Sequence, residues 1–317
     1  MPKDSKPKEP IPFVEVDHIN GYLIPGPDIY VMKRNKSFFN VPEIGIGNKP
    51  IDDGNYLFTP EEMTDFIKRE PRSEKYFRPW YGAAEFIQGK KRFCLLLKDC
   101  PPEELRKMPL VYERVKNVRE FRLRSKSAGT RKIADKPTRF HVENFPTGNY
   151  LLIPKVSGSS RRYIPIGFMT PNELASDLVF IVPNADLFHF GVLTSSVHMN
   201  WTRLVCGRLG ISYRYSATIC YNPFPWPLFY PESQRRRIEQ TAQKILDARA
   251  NYPNATYADL YDEVSMPYDL RRAHEENDRE VMKAYYFPPE MNELEMQIRL
   301  LEMYQTLHEE YDEVIED

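Results

Sequence analysis

From Ser233 onward the chain is almost entirely helical in pattern, whereas everything before it is interrupted every few residues by proline, glycine or a turn pair. No single repeating period can accommodate both halves, so a pure helical bundle and a pure β-sandwich are excluded. The helical stretch opens with "QRRRIEQTAQKILDARA" and continues through "PYDLRRAHEENDREVMKAYY". It ends with "NELEMQIRLLEMYQTLHEEYDEV", which places Leu294, Ile298, Leu301, Tyr304 and Tyr311 on one face. The expectation is an α+β chain: a flexible tether over 1–12, an antiparallel β region with flanking helices over 13–231, and an all-helical region over 232–317.

Within the first region, "GYLIPGPDIYVM" and "IGIGNKPIDDGNYLF" are turn-rich, and Gly45 and Gly47 read as a turn rather than a phosphate-cradling loop. "TPEEMTDFIKREP" predicts a helix capped by Thr59, with Pro60 in its first turn. "RPWYGAAEFIQGKKRFCLLL" predicts a hairpin turning at Gln88-Gly89-Lys90, and "PPEELRKMPLVYERVKNVREFRLRS" one continuous helix. "RLRSKSAGTRKIADKPTRFHVENF" reads as a loop. Three strands follow, "NYLLIPKVS", "RRYIPIGFM" and "DLVFIVPNA", the first two joined by Gly158-Ser159-Ser160. "TSSVHMNWTRLVCGRLG" predicts a helix from a Thr194 cap to Gly210, and "ISYRYSATICY" a strand.

The net charge of −1 conceals two opposed segments. Residues 89–163 hold 19 lysines and arginines against 7 acidic residues, and residues 232–317 hold 10 against 21. A basic segment suits a polyanion, which an acidic one repels. Alternatively, the two segments neutralise each other across an interface. No apolar run approaches the roughly 20 residues of a membrane span, and "MPKDSKPKEPIP" has no apolar core of a signal peptide. A cytoplasmic protein with four reduced cysteines is expected.

Catalytic motifs do not assemble. "YNPFPWP" resembles the Asn-Pro-Pro-aromatic loop that grips a flipped base in amino-directed DNA methyltransferases, but Phe224 separates the prolines that should be adjacent. The glycine-rich turn that S-adenosylmethionine binding needs is missing, and the six histidines lack partners at metal-ligand spacing. His198 reads as a partly buried helix residue. No catalytic or metal residue is assigned. Arginine, lysine and serine on loop tips are, however, the side chains that read base edges and hold phosphates. By this chemistry the DNA-binding candidates are Arg124, Lys126, Ser127 and Arg131 on one segment, and Lys155, Ser157, Ser159, Ser160, Arg161 and Arg162 on the other. Arg214 and Tyr213 are further candidates, equally suited to structural roles.

From about Ile19 to Tyr285 the order of segments resembles the C-terminal part of the MmeI-like (type IIL) restriction–modification enzymes. The match runs through "GYLIPGPDIYV", "RPWYGAAEFIQGKKRFCLLL", "SKSAGTRKIADKP", "YLLIPKVSGSSRRYIPIGF", "FGVLTSSVHMNWTRLVCGRLGISYRYSATICYNPFPWP" and "ARANYPNATYADLYDEVSMPYDLRRAHEENDREV". The resemblance implies that 13–231 is a DNA target recognition domain and 232–317 its helical C-terminal companion. It also implies that adenine methylation with S-adenosylmethionine, and cleavage with Mg, belong to methyltransferase and endonuclease domains in cis or on a separate chain. Ser159, Ser160 and Arg161 then become base readers. Related sequences often carry an acidic residue near Ser159, where this one has serine. A protein-interaction scaffold and a self-contained S-adenosylmethionine-dependent methyltransferase are the alternatives.

Overall fold

The computed structural model describes residues 15–316, with side chains described as far as Tyr311; the expected tether lies outside the described residues. After an extended segment come β1 (Gly45–Ile46) and β2 (Leu57–Phe58). Gly45 and Gly47 form no turn. Gly45 pairs with Ile181, and a Cβ on Gly47 would fall 2.2 Å from the Ser176 carbonyl oxygen, so glycine here permits close strand contact. Thr59 caps α1 (Pro60–Arg69): its hydroxyl accepts from the Glu62 N–H at 3.2 Å, and the Glu62 carboxylate accepts from the Thr59 N–H at 2.8 Å.

β3 (Phe77–Tyr81) does pair antiparallel with a later strand, but a helix, α2 (Ala83–Gln88), fills the expected hairpin turn. The Glu85 carboxylate accepts from the Gly82 N–H at 2.9 Å and starts this helix; left-handed Gly89, at φ 66°, ends it. The partner strand is β4 (Phe93–Leu95). The long helix expected next is split into α3 (Pro102–Leu105) and α4 (Pro109–Leu123), because Pro109 has no N–H and its ring cannot follow a preceding helical turn. The expected loop beyond it contains α5 (Ala128–Lys132).

β5 (Tyr150–Pro154), β6 (Val156–Ser157), β7 (Gly167–Met169), β8 (Leu174–Ala175) and β9 (Val179–Pro183) follow, then α6 (Leu187–Leu193) and α7 (Ser196–Val205). The cap of α7 is Ser195, not Thr194, and the helix stops at Val205 because Cys206 turns extended. Gly210 belongs instead to a hairpin of β10 (Gly207–Leu209) and β11 (Ser212–Arg214), and Ala217–Tyr221 is a π-helical turn rather than more strand. α8 (Glu232–Ala250), α9 (Tyr257–Leu260), α10 (Tyr268–Ala284) and α11 (Glu293–Glu316) complete the α+β fold.

The strands form three sheets, ordered β1-β9-β5-β7, β10-β11-β6 and β2-β4-β3-β8. All pairings are antiparallel except β3 with β8, where Trp80 lies beside Leu174. β5 and β7 pair as expected, with Leu151 opposite Phe168, but Gly158-Ser159-Ser160 is not the whole link between them. β6 leaves the first sheet at Lys155 to pair with β11, Ser157 lying opposite Tyr213. Alternation gives the first sheet two buried faces. Leu151, Ile153, Phe180 and Val182 join the core around α6, α7, α8 and α10, while Tyr150, Leu152, Val179 and Ile181 pack against α2 and α9.

One continuous apolar core crosses residue 231, holding Phe190 and Trp201 together with Ile238, Ala242, Leu270 and Tyr304. Buried Arg249 of α8 donates to the Ile166 carbonyl at 2.7 Å and to the Tyr261 hydroxyl at 2.8 Å. At the far end, the Tyr304 hydroxyl accepts from the Met32 N–H at 2.9 Å, and Arg34 lies 3.7 Å from the Phe38 ring centre and 4.1 Å from that of Tyr311.

Candidate nucleic-acid interface

Fully buried Arg122, at the end of α4, organises the first basic segment. Its guanidinium donates to five carbonyls: Pro50 at 2.8 Å, Ile51 at 3.0 Å, Ile133 at 3.1 Å, Lys136 at 3.0 Å and Arg139 at 2.8 Å. The loop after α4 is thereby fastened to residues 50–51. On this platform Ser127 caps α5, accepting from the Thr130 N–H at 3.3 Å, and Arg131 donates to the Ser125 and Lys126 carbonyls at 2.7 and 2.9 Å. Arg124 bonds back to the Glu120 carbonyl at 3.3 Å. Arg124, Lys126 and Arg131 are exposed, and the Lys126 ammonium has no hydrogen-bond or ion-pair partner among the described residues.

Lys155 sits where β5 gives way to β6. It donates to the Asp177 carbonyl at 2.6 Å and lies 4.7 Å from the Phe180 ring. Burial lowers its pKa, Asp177 opposes this, and neighbouring Lys49 and Arg214 reinforce it. Lys49 in turn pairs with the Asp177 carboxylate at 3.5 Å. The fold therefore brings Lys49 and Lys155 to one aspartate, with Arg214 close enough to act on Lys155. Arg214 is exposed, and its guanidinium has no hydrogen-bond or ion-pair partner among the described residues. Lys49 was not foreseen: it stands alone in "GNKP", and the pairing of Asn48 with Ser176, with the Asp177 N–H donating to the Asn48 carbonyl at 2.8 Å, brings it to this cluster.

The remaining candidates occupy the tip beyond β6. Ser157 is 3% exposed, and its hydroxyl has no partner. Ser159 is half-buried, and Ser160 is exposed. Arg161 is half-buried, its Nε without a partner and its guanidinium over Gly158, where an added Cβ would lie 3.1 Å from Nη1. Burial pulls its pKa down, and Asp262 is the carboxylate that counters this. Arg162 pairs with Glu275 of α10 at 3.7 Å. At Arg162 a carboxylate of the acidic segment pairs with the basic one, and at Arg161 Asp262 acts without forming an ion pair. Tyr213 is buried beneath Arg208, whose guanidinium lies 4.0 Å from its ring. Among the described residues no hydrogen bond or ion pair joins residues 124–132 to 155–162.

"NPFPWP" is an interior crossing. The Asn222 amide donates to the Arg34 carbonyl at 2.9 Å, and fully buried Phe224 packs edge-on to His198 at 4.9 Å and beside Trp226 at 5.5 Å. The groups that a base-gripping loop would present to its substrate are thus committed to the core. His198 is fully buried, not partly: it meets the Tyr215 hydroxyl at 3.0 Å, and burial pulls its pKa down to about 4. Among the described residues no cluster of His, Cys, Asp and Glu could hold a metal ion, and no helix is long and apolar enough to cross a membrane.

Two family descriptions cover nearly all of this architecture. The MmeI target recognition domain matches residues 25–228, and the MmeI C-terminal domain matches residues 230–311. The chain belongs to the MmeI family. It is similar to DNA methyltransferase A of Bacillus subtilis (strain 168), at 37% identity over 299 residues, covering 93% of this chain and 33% of that protein. It is also similar to the structure of the type IIL restriction–modification enzyme MmeI in complex with DNA. There the identity is 43% and the TM-score 0.90, covering 93% of this chain and 39% of that one. The chain therefore spans about a third of the length of the curated relative. Within the MmeI target recognition match lie all eleven candidate DNA contacts, Arg124, Lys126, Ser127, Arg131, Lys155, Ser157, Ser159, Ser160, Arg161, Arg162 and Arg214.

Proposed function

We propose that this chain is the DNA-reading module of a type IIL restriction–modification enzyme, holding duplex DNA so that a methyltransferase domain can modify an adenine. The observation that carries this reading is the likeness along 93% of the chain, at a TM-score of 0.90, to an enzyme of that type solved with DNA. The cations Lys49, Lys155 and Arg214 support it, because three positive charges near one another suit phosphates better than any neutral partner. Lys126, Arg124 and Arg131 add phosphate contacts from the α5 segment, and Ser159, Ser160, Arg161 and Arg162 read bases. Ser127 supports its segment by capping α5, and Ser157 supports the tip from within. The domains divide at 231/232. S-adenosylmethionine and Mg belong to catalytic domains in cis or on a second chain, acting in the cytoplasm.

Binding of the chain to a random-sequence duplex pool, titrated with salt, tests this reading. Arg214→Ala should flatten the salt slope by about 0.9 and weaken all sequences alike. Arg161→Ala should cost about 1–3 kcal/mol of discrimination at one base pair. Salt-insensitive retention, or none, would favour a protein-interaction scaffold, and heat on titration with S-adenosylmethionine a self-contained methyltransferase.

A further inference from the structure

The β10–β11 hairpin carries apolar surface where a turn ordinarily carries polar side chains. Leu209 is 57% exposed and Ile211 83% exposed, and Gly207 and Arg208 of β10 are exposed with them. Leu209 lies opposite Ser212, so the connection is a two-residue turn of Gly210 and Ile211. Gly210 has a φ of 58°, the left-handed conformation that two-residue hairpin turns need at their first central position. That geometry requires a glycine; it does not require an isoleucine beside it. Solvated turns favour Asn, Asp, Ser or Gly at such a place, so the isoleucine needs another reason.

The base of the hairpin is stiff. Tyr213 is buried and pairs with Ser157, the Tyr215 N–H donates to the Lys155 carbonyl at 2.8 Å, and the Cys206 N–H donates to the Thr202 carbonyl of α7 at 3.0 Å. The same ribbon leads through β6 into the Gly158–Arg162 tip. Behind the apolar tip stand cations: Arg208 over Tyr213, and Arg214 beside Lys155. A rigid apolar point with a cationic collar fits a duplex, whose phosphates flank a stack of apolar base faces.

We infer that Leu209 and Ile211 form a wedge that enters the base stack of the bound duplex, unstacks one step and kinks the helix axis. The inference rests on the DNA-reading function proposed above. It gives that function a further part: a base must leave the stack before it can be methylated, and a step already unstacked releases a base at lower cost.

The test uses the whole chain and a duplex of about 30 base pairs, drawn from the pool that the chain retains and labelled at both ends for energy transfer. Wild type should shorten the end-to-end distance on binding. The Leu209→Ala/Ile211→Ala variant, altered only at exposed positions, should bind with the same salt slope but leave the duplex straight. Arg214→Ala, by contrast, should bind more weakly yet bend the duplex whenever it is bound. Wild type that binds without bending, or a double variant that bends like wild type, overturns the wedge and leaves the DNA reading intact. No salt-dependent binding by wild type overturns both.

Discussion

The Tyr163 hydroxyl donates to the Asp278 carboxylate at 2.7 Å, tying the chain just beyond the Gly158–Arg162 tip to the middle of α10. The second carboxylate oxygen accepts from the Ser196 N–H at 2.7 Å, at the start of α7. Asp278 is thus a buried three-way joint, and burial pushes its pKa up to about 6 despite these donors.

The native state therefore holds this proton more tightly than the unfolded chain. Its contribution to stability is complete below about pH 4 and is lost as pH rises to about 6, on the order of 3 kcal/mol in all. His198 works in the opposite sense. Its pKa, pulled down to about 4, gives a contribution that is complete above about pH 6.5 and is lost as pH falls toward 4. Urea unfolding at stepped pH should show Asp278→Asn gaining on wild type as pH rises from 4 to 6. His198→Gln should gain on wild type as pH falls over the same range. Parallel curves for wild type and variant would contradict either assignment.

Arg122 is the second joint. Replacing it with methionine removes five hydrogen bonds and leaves the Pro50, Ile51 and Arg139 carbonyls without a partner among the described residues, while the Ile133 and Lys136 carbonyls keep those from the Lys136 and Arg139 N–H groups; it should cost roughly 3–5 kcal/mol. Arg122→Lys should recover little, because an ammonium cannot reproduce the planar fork. Thermal melting gives the loss of stability. Limited proteolysis should show earlier cleavage between residues 124 and 139.

Gly191 of α6 lies tight against α8 and α10. A Cβ there would lie 2.7 Å from the Ile238 Cγ2 and 3.1 Å from the Asn277 Oδ1. Gly191→Ala should destabilise by about 1–2 kcal/mol, overpacking outweighing the better helix propensity of alanine. A rise in melting temperature would refute this.

Glu275 pairs with Arg162, and the Asp262 carboxylate attracts Arg161, so both acidic groups draw candidate base readers toward the helices. Glu275→Gln combined with Asp262→Asn should release Arg162 and Arg161, tightening duplex binding about two- to threefold and steepening its salt slope. A variant that binds no better than wild type would mean that these pairs do not restrain the tip.

What the sequence reveals is mostly local. The cap at Thr59 lies within a few residues of the helix it defines, so it can be read directly; the apolar stripe of α11 was legible only in part, for Ile298, Leu301 and Tyr304 face the core as expected whereas Leu294 and Tyr311 are exposed and Met296 and Leu300 are buried instead. The same local signal misled at Gln88-Gly89-Lys90: the glycine ends a helix there rather than turning a hairpin, and the deciding bond comes from Glu85. Longer pairings left no trace. Nothing near Ser157 announces that it will lie against Tyr213, or that Lys49 and Lys155 will meet at Asp177, the one at its carboxylate and the other at its carbonyl. The basic surplus was legible as a count, but not which cations the fold would occupy. Arg122 is wholly spent on carbonyls, whereas the Lys126 ammonium and the Arg214 guanidinium have no partner among the described residues, a division fixed only by tertiary contacts. Segment order supplied the family resemblance that composition could not.

The core running from Phe190 and Trp201 to Ile238, Leu270 and Tyr304 has a consequence for exchanging parts between relatives. A hybrid joined at the 228–232 seam would have to rebuild that interior from two lineages at once. Transplanting a new specificity is gentler when confined to the outward loops, because the seam that reads as a boundary along the chain runs through the best-sealed part of the molecule.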